Sequence, residues 1–436
     1  MRVLYLIEEY GYTLDEIQEF TDNLTDLQER NIVKKTADLY KFDYVGIIVD
    51  KILESTNILI VLPKYLENIL LNNDEKKEYA RLLMQVFKRY AKDSLNKDNL
   101  DDLDYLSDNT QFNLLAIIDY LINDYIENGL YSNNIEAHEY NGNGLIDWNK
   151  TIQDEYALIT NRQVVYTDFQ TLAVEDDVED YIRTLHQNIL FQCFLFLEEI
   201  SFLNLLEYPS LYIQQAELLI KDIDYQLRAI DIEMRNVFSD RKISLLKAMK
   251  FFLQEESNLK SNDLLLYGTR SFAHIWEKAI SCALDNEIDS KKEYIPHPQW
   301  TERNLSSIMH SDTLKPDTVR KIKDDFFVVD AKYYKFPFTE NGNLNTGNPG
   351  LGDISKQFLY VEAFKTNPFL KNCVYHNSFV LPTADNNLSN IGEINLHLFP
   401  NDKIQLIVFP AKRLFEMYVS EIVLDDSEIR SFFMKP

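Results

Sequence analysis

The sequence predicts an α/β protein in three parts: an α+β domain over residues 1–155, a helical region over residues 156–257, and an α/β domain over residues 258–436. Three observations lead to this division. The first part mixes β-branched runs with amphipathic helices, the second contains a long stretch without glycine, and the third has a strand–turn–strand pattern followed by a helix. A chain of 436 residues is long enough for two or three domains.

In the N-terminal part the pattern predicts two strands followed by two helices. The β-branched runs FDYVGIIVD (42–50) and NILIVLPKY (57–65) predict a hairpin or two neighbouring strands. Apolar residues at three- and four-residue spacing predict helices over residues 75–92 and 111–129. Gly129 suits the end of the second helix, because glycine adopts the left-handed backbone conformation without strain.

The middle of the chain is predicted to be helical. Residues 177–257 contain no glycine and one proline, and their apolar spacing predicts long amphipathic helices that form a connector or stalk. This segment is acidic and carries no catalytic motif, so we expect it to dock a partner protein. At residues 261–284 the pattern changes to a short apolar run, a turn at Gly268, and a helix carrying Trp276 and Glu277.

The composition predicts a soluble, cytoplasmic protein. Hydrophobic residues make up 45% of the chain and charged residues 26%, as in ordinary globular domains. Cys193, Cys282 and Cys373 are few and widely spaced, which argues against a disulfide framework or a zinc cluster and suits a reducing compartment. The most apolar window contains Glu198 and Glu199 at its centre, so it predicts a buried helix and no membrane contact.

The charge distribution bears on nucleic-acid binding. The net charge of −26 opposes contact with a polyanion. Residues 311–372 nevertheless carry nine Lys or Arg against eight Asp or Glu, so this segment is +1 and the rest of the chain is −27. We therefore expect the isolated chain to bind duplex DNA weakly. No GKS or GKT follows the GNG of residues 142–144, so the sequence does not indicate a P-loop NTPase.

Residues 314–336, LKPDTVRKIKDDFFVVDAKYYKF, place two aspartates and a lysine in a predicted β-hairpin. Residues two apart on a strand face the same side, so Asp330 and Lys332 point together, and Asp317 lies just before the partner strand. Two converging carboxylates repel each other unless a cation lies between them, and hard oxygen ligands suit Mg²⁺, with Mn²⁺ as a substitute. This set predicts metal-dependent phosphodiester hydrolysis, with Asp317 and Asp330 as metal ligands and Lys332 as the base that orients water and phosphate.

The D-x-K pattern alone is common, and the chain contains two further copies. Asp74–Lys76 and Asp240–Lys242 lie in predicted helices without a preceding P-D, so they are internal controls for the motif. The alternative for residues 330–332 is an edge strand whose aspartate and lysine pair at the surface. The β-hairpin, the P-D and the following helix favour the catalytic interpretation.

These residues resemble known families. Pro316-Asp317 with Asp330-Ala331-Lys332 resembles the motif of the PD-(D/E)XK nucleases. The phrases LYGTRSFAHIWEKAI, VVDAKYYK, GDISKQFLY and GNGLIDWNKTI are similar to LlaJI-type restriction endonucleases, and more distantly to McrC, the nuclease subunit of the McrBC system. The resemblance lies in patches between residues 139 and 375. It implies a C-terminal nuclease domain with a mixed sheet flanked by helices.

The resemblance also implies further site residues. Family members carry an acid on a helix ahead of the hairpin, which maps onto Glu277 as a third catalytic acid and metal ligand; the alternative is an exposed helix carboxylate. Gln357 and Tyr360 map onto the Q-x-x-x-Y motif of related nucleases, with one residue fewer between them, as DNA or metal-shell contacts. Tyr333 either contacts a phosphate or packs within the strand.

The function that the resemblance implies is a Mg²⁺-dependent DNA endonuclease subunit of a restriction or phage-defence system. A separate McrB-like AAA+ GTPase would supply the motor. Two other classes remain open. The chain is alternatively an assembly subunit that retains a nuclease fold for binding, or an RNA-processing or nucleic-acid-binding module.

Overall fold

The computed structural model describes residues 2–52, 55–67, 69, 71–95, 110–160, 163–177, 180–199, 213–259, 264–295, 299–301, 308–310, 315–335 and 348–434. The chain forms two compact units. The first, here called the discontinuous unit, consists of Met1–Asn113 and Asn262–Pro436. The second, here called the inserted unit, consists of Leu114–Ser261.

The described strands are, in chain order, β1 (Arg2–Ile7), β2 (Val33–Thr36), β3 (Leu39–Phe42), β4 (Val45–Ile52), β5 (Ser55–Leu62), β6 (Asn134–Tyr140), β7 (Leu145–Ile146), β8 (Ala157–Thr160), β9 (Gln163–Tyr166), β10 (Gln170–Asp176), β11 (Leu264–Thr269), β12 (Gln299–Thr301), β13 (Ile308–His310), β14 (Thr318–Ile322), β15 (Asp325–Ala331), β16 (Val374–Thr383), β17 (Ser389–Asn395) and β18 (Lys403–Pro410). The described α-helices are α1 (Leu14–Phe20), α2 (Leu24–Glu29), α3 (Asn73–Leu95), α4 (Thr110–Asn128), α5 (Trp148–Asp154), α6 (Tyr181–Glu199), α7 (Ile223–Asn236), α8 (Asp240–Leu259), α9 (Phe272–Ala283), α10 (Leu351–Lys365), α11 (Ala411–Val419) and α12 (Asp426–Phe433).

A four-stranded sheet of order β1-β5-β4-β11 joins the two segments of the discontinuous unit. The predicted pair of neighbouring strands is confirmed, because β4 and β5 pair antiparallel. β11 comes from the second segment of this unit, which follows the inserted unit in sequence, and pairs antiparallel with β4. The predicted boundaries at residues 155 and 257 therefore differ from the observed division, since this pairing unites residues 1–113 with residues 262–436.

The predicted turn at Gly268 is wrong, because Gly268 lies within β11 directly opposite Gly46 of β4. A Cβ atom on Gly268 would lie 2.2 Å from the carbonyl oxygen of Val45, and one on Gly46 would lie 2.3 Å from the carbonyl oxygen of Tyr267. Gly46 also has a φ of +144°, which side chains rarely tolerate. The two glycines thus permit a close approach of two strands.

The second large sheet of the discontinuous unit has the order β14-β15-β16-β18-β17. β14 and β17 pair antiparallel with their neighbours, whereas β15, β16 and β18 run parallel, so the sheet is mixed as the family resemblance implied. Helices cover both faces. Phe326 packs edge-on against Phe364 of α10, while the adjacent Phe327, which points to the other face, packs against Phe433 of α12.

The inserted unit combines a small sheet of order β6-β10-β7, the separate β8–β9 hairpin, and helices. The predicted helical segment is confirmed by α6, α7 and α8, and residues 178–179 and 200–212 of that segment lie outside the described residues. β8, β9 and β10 occupy most of residues 157–176, so the predicted helical region begins later than residue 156. None of the described helices combines the length and the apolar character needed to span a lipid bilayer.

Candidate active site

The β14–β15 hairpin brings the two aspartates together, as its sequence predicted. Lys323 occupies the tight turn with a φ of +56°, and the register pairs Thr318 with Val329. Asp317 precedes β14 and therefore lies beside the end of β15. The backbone N–H of Ala331 donates a hydrogen bond of 3.0 Å to Asp317 Oδ2. This bond holds the Asp317 carboxylate next to Ala331, the residue that follows Asp330.

Asp330 and Lys332 lie on the same side of the chain and form an ion pair. Lys332 Nζ lies 2.8 Å from Asp330 Oδ2. The backbone N–H of Lys332 donates to the carbonyl oxygen of Val380 on the neighbouring β16. β15 pairs with both β14 and β16, so the alternative of an edge strand with a surface ion pair is wrong.

Asp330 is buried, Asp317 is half-buried, and the two carboxyl groups are close enough to share a hydrogen bond. Burial is the largest effect on Asp330 and, together with the hydrogen bond and repulsion from Asp317, raises its pKa to about 8. Burial also raises the pKa of Asp317, and Glu277 raises it further, while hydrogen bonds from Asp330 and Ala331 lower it. One carboxyl group of the pair therefore resists ionisation at neutral pH when no cation is bound.

Lys332 is held in its charged form. Burial by itself lowers the pKa of Lys332, but the carboxylates of Asp330, Asp353 and Asp317 outweigh burial and raise the pKa above its usual value. Asp353, in the first turn of α10, lies with its Oδ1 3.6 Å from Lys332 Nζ. Sequence reasoning missed Asp353, although it stands in the GDISKQFLY phrase that resembles the family.

Glu277 lies near Asp317 on α9. Its charge contributes to the raised pKa of Asp317, and its Oε2 lies 3.3 Å from Nδ1 of His274. The hydrogen bond with Glu277 raises the pKa of His274, with Asp317 adding a smaller effect. The adjacent Trp276 is fully buried and donates from Nε1 to the same Val380 carbonyl that accepts from Lys332. Trp276 thus fixes the helix that carries Glu277. The sequence analysis did not identify His274, the hydrogen-bond partner of Glu277.

We expect Glu277→Gln to lower DNA cleavage by about 10- to 100-fold, the range found for groups that support a metal ligand from outside its coordination sphere. The change keeps the side-chain shape but removes a charge next to Asp317. The pKa of His274, followed by NMR, should fall in the same variant, because the Glu277 bond is its largest cause. Glu78→Gln, on the surface of α3, is the control. Wild-type cleavage by the Glu277 variant would exclude a catalytic role.

Of the three predicted substrate contacts, Tyr360 is the one that lies within electrostatic range of the two carboxylates. Burial raises the pKa of Tyr360, and Asp330 and Asp317 raise it further. Gln357 is buried, and its Nε2 donates to Asn377 Oδ1 at 2.7 Å and to the carbonyl oxygen of Val328 at 3.2 Å. Gln357 therefore fastens α10 to the sheet, and its side chain is not exposed to solvent.

Tyr333 is also buried, which agrees with the packing alternative. Its ring lies 5.2 Å from that of Phe272, and its hydroxyl donates to the carboxylate of Glu8. The two control motifs behave as predicted: Asp74 lies in α3 and Asp240 at the start of α8, and Asp74 is almost fully exposed. Neither has the surroundings of Asp330.

The donor set fits a hard divalent cation. Within the described ranges, no group of three or more His, Cys, Asp and Glu side chains is arranged to hold a metal by itself. Asp317 and Asp330 nevertheless supply two oxygen donors whose mutual repulsion a cation would relieve. A two-carboxylate site leaves the other coordination positions to water and substrate phosphate, as Mg²⁺ prefers.

Comparison with known proteins assigns the chain to a family. The chain is similar to the type II restriction enzyme BsuMI component YdjA of Bacillus subtilis (strain 168), with 27% identity over 445 residues, 98% of this chain and 92% of the relative. A chain of the Thermococcus gammatolerans half-complex of McrB AAA+ hexamers with bound McrC aligns at 13% identity with a TM-score of 0.39, over 96% of this chain and 99% of that chain. A second structure, of the McrBC complex from the same organism, aligns at 11% identity with a TM-score of 0.23, over 58% and 79%. Likenesses this weak support no functional conclusion. The LlaJI restriction endonuclease model matches residues 44–412, and the chain therefore belongs to the LlaJI restriction endonuclease family.

Proposed function

We propose that this chain is the Mg²⁺-dependent DNA endonuclease subunit of a restriction system, with a PD-(D/E)XK site. The observation that carries the proposal is the convergence of Asp317, Asp330 and Lys332 at the end of the β14–β15 hairpin. Membership of a restriction endonuclease family supports DNA as the substrate. A buried pair of carboxylates that repel each other has a cost in stability, which favours a functional reason for keeping it.

Each residue has a role that follows from its surroundings. A bound Mg²⁺ would neutralise the two carboxylates, lower the pKa of a water ligand and offset charge on the scissile phosphate. Asp317 is oriented by the Ala331 N–H, and Asp330 is oriented by Lys332. Because Lys332 is held protonated, its surroundings favour phosphate neutralisation and water orientation over proton abstraction. Tyr360 borders the same site.

Cleavage assays test this function. Duplex DNA and RNA of the same sequence should be incubated with the chain and Mg²⁺, with and without its partner protein. Cleavage of DNA supports the proposal. Cleavage of RNA alone would support the RNA-processing alternative, and binding without cleavage would support a subunit that retains the fold for assembly.

We further propose that the chain works with an McrB-like AAA+ GTPase. The sequence resemblance to McrC motivates this partner, and the relative from B. subtilis is itself described as a component of an enzyme. The net charge of −26 gives the chain little means of attracting DNA by itself. A separate protein would supply the grip on DNA.

The inserted unit exposes an apolar surface that suits such a partner. Tyr156, Leu145 and Ile159 are 95%, 82% and 79% exposed. Neighbouring large apolar side chains on the same strands, loops and short helix are also exposed: Tyr140, Ile146, Trp148, Ile152, Leu158, Val164 and Val165. Monomeric proteins rarely leave so many together in water. We therefore propose that the partner docks on this surface, residues 140–160 and 163–166, where the exposed apolar side chains are concentrated, and not on the helices of residues 177–257, where apolar side chains such as Ile182, Leu185 and Leu246 are buried.

We expect the isolated chain to bind duplex DNA with a Kd above 1 μM at about 150 mM salt, where surface charges act over only about 8 Å. Addition of the AAA+ partner and GTP should tighten binding and start cleavage. A salt series by fluorescence anisotropy measures the first effect, and a gel assay the second. Submicromolar binding and rapid cutting by the chain alone would contradict the charge-based expectation.

The docking surface has its own control. Tyr156→Glu with Ile159→Glu should abolish capture of the partner, because two charges enter an apolar contact. Phe238→Glu changes an equally exposed apolar residue outside the surface and should have no effect. Equal loss of partner binding in both variants would contradict docking on residues 140–160 and 163–166.

A further inference from the structure

Lys332 lies one residue beyond the end of β15, so regular strand pairing alone does not fix its position. Its backbone N–H still bonds to Val380. The next residue, Tyr333, is buried, and its ring packs at 5.2 Å from Phe272 of α9 and at 6.3 Å from Tyr65. The side chain of Tyr333, which follows Lys332, is thus held by residues from both segments of the discontinuous unit.

The Tyr333 hydroxyl bonds to a carboxylate that follows the first strand of the protein. Glu8 directly follows β1, is 5% exposed and accepts a hydrogen bond from the Tyr333 hydroxyl. The backbone N–H of Lys64 donates to Glu8 Oε2 at 3.1 Å, and the backbone N–H of Glu8 bonds to the carbonyl of Leu62. Lys64 Nζ lies 4.8 Å from the centre of the Tyr333 ring and pairs with Glu9 at 2.7 Å.

The buried Glu8 carboxylate lowers the stability of the folded protein at neutral pH. Burial raises its pKa from 4.5 to about 7, although Lys64 and the Tyr333 hydroxyl lower it; Glu9 raises it slightly. The pKa in the folded protein therefore exceeds that of the unfolded chain. The folded state loses stability as the pH rises from about 4.5 to about 7, because folding then disfavours the ionised form. A neutral glutamine would accept the same hydrogen bond without this loss.

We propose that Glu8 and Tyr333 are positioning residues, and that the N-terminal segment thereby holds Lys332 in its reactive place beside Asp330. This inference rests on the proposed nuclease function. The stability lost at Glu8 is explained if the charge-assisted bond to Tyr333 is stiffer than a neutral one. The N-terminal segment then contributes to catalysis without touching the substrate.

The test uses the full chain with its partner and compares Tyr333→Phe, Glu8→Gln and the double variant. We expect Tyr333→Phe to lower the turnover of DNA cleavage by about tenfold with unchanged KM, less than the roughly 100-fold that a 1 Å displacement of a catalytic group can cause. The double variant should be no worse than Tyr333→Phe, since loss of the Tyr333 hydroxyl already removes the bond that Glu8→Gln only weakens. Glu8→Gln should lower turnover but raise the melting temperature above pH 7, with the gain disappearing towards pH 5.

The matched control is Tyr418→Phe. Tyr418 is equally buried in the same unit and donates a 2.9 Å hydrogen bond to Asp93, away from the hairpin. It should lower the melting temperature and leave turnover unchanged. A loss of turnover in this control equal to that of Tyr333→Phe would mean that general destabilisation explains both, and would overturn the proposal.

Hydrogen–deuterium exchange gives a readout that needs no cleavage. In Tyr333→Phe, peptides covering residues 328–335 should exchange faster, while peptides covering residues 376–381 of β16 should not change. Unchanged exchange at residues 328–335, or wild-type turnover, would overturn the positioning role. If the wild-type chain cleaves no DNA, the proposed function fails, and the exchange result alone decides whether the contact holds Lys332.

Discussion

Replacing Asp330 or Lys332 with alanine should lower DNA cleavage by about a thousandfold or more, the order found for groups that stabilise charge at a reacting centre. Asp330 is one of two carboxylates that would bind the cation, and Lys332 is a cation held by that carboxylate. Folding should survive both changes. Without Asp330, Lys332 still has Asp353 at 3.6 Å, and without Lys332, Asp330 can stay protonated because its pKa is raised.

The same chain offers controls for this experiment. Asp74→Ala and Asp240→Ala alter the other two D-x-K copies, which lie in helices, and both should cleave as the wild type does. Circular dichroism and partner capture verify that the inactive variants are folded. Undiminished cutting by the Asp330 variant would remove the basis of the proposed function.

The second large effect concerns the cation. Chelation by EDTA should stop cleavage, Mg²⁺ or Mn²⁺ should restore it, and Ca²⁺ should bind without supporting turnover. Adding Mg²⁺ to the metal-free protein should also raise its melting temperature, since a ligand at 100 times its Kd stabilises the folded state by about 2.7 kcal/mol. Full activity after complete chelation would contradict a metal-dependent mechanism.

The effect of pH on metal binding has a definite sign. The pKa of Asp330 is raised to about 8 in the folded protein, far above its ordinary value, so the metal-free protein loses stability as rising pH forces this group to ionise. A divalent cation binds the ionised pair. The Mg²⁺-induced rise in melting temperature should therefore grow between pH 6 and pH 9. Asp330→Asn should abolish both the rise and its pH dependence, and differential scanning fluorimetry measures each.

The sequence was informative about the site because its central features are local. Two short β-branched runs and a turn predict the hairpin, and the two-residue period of a strand predicts that Asp330 and Lys332 share a side. Asp317 joins them through the geometry of one turn. No contact between distant parts of the chain is needed for this inference.

Features that depend on distant contacts could not be predicted. Gly268 looks like a turn residue until its partner Gly46 is known. Gln357 and Asp353 lie on one helix, and the pattern does not say which side of α10 meets the sheet. The union of residues 1–113 with residues 262–436 is hidden for the same reason, because pairing of β11 with β4 is invisible to any local pattern.

The pairing of β4 with β11 also bears on how the protein is made. Residues 1–113 leave the ribosome well before β11, and at roughly 5 to 20 residues per second the intervening 114–261 take about 7 to 30 seconds to synthesise. Throughout that interval β4, whose Ile47, Ile48 and Val49 are buried in the finished sheet, presents an unpaired apolar edge. A nascent chain that stalls before residue 264 would expose that edge to other nascent chains, and a chaperone that covers β4 would protect it until β11 arrives.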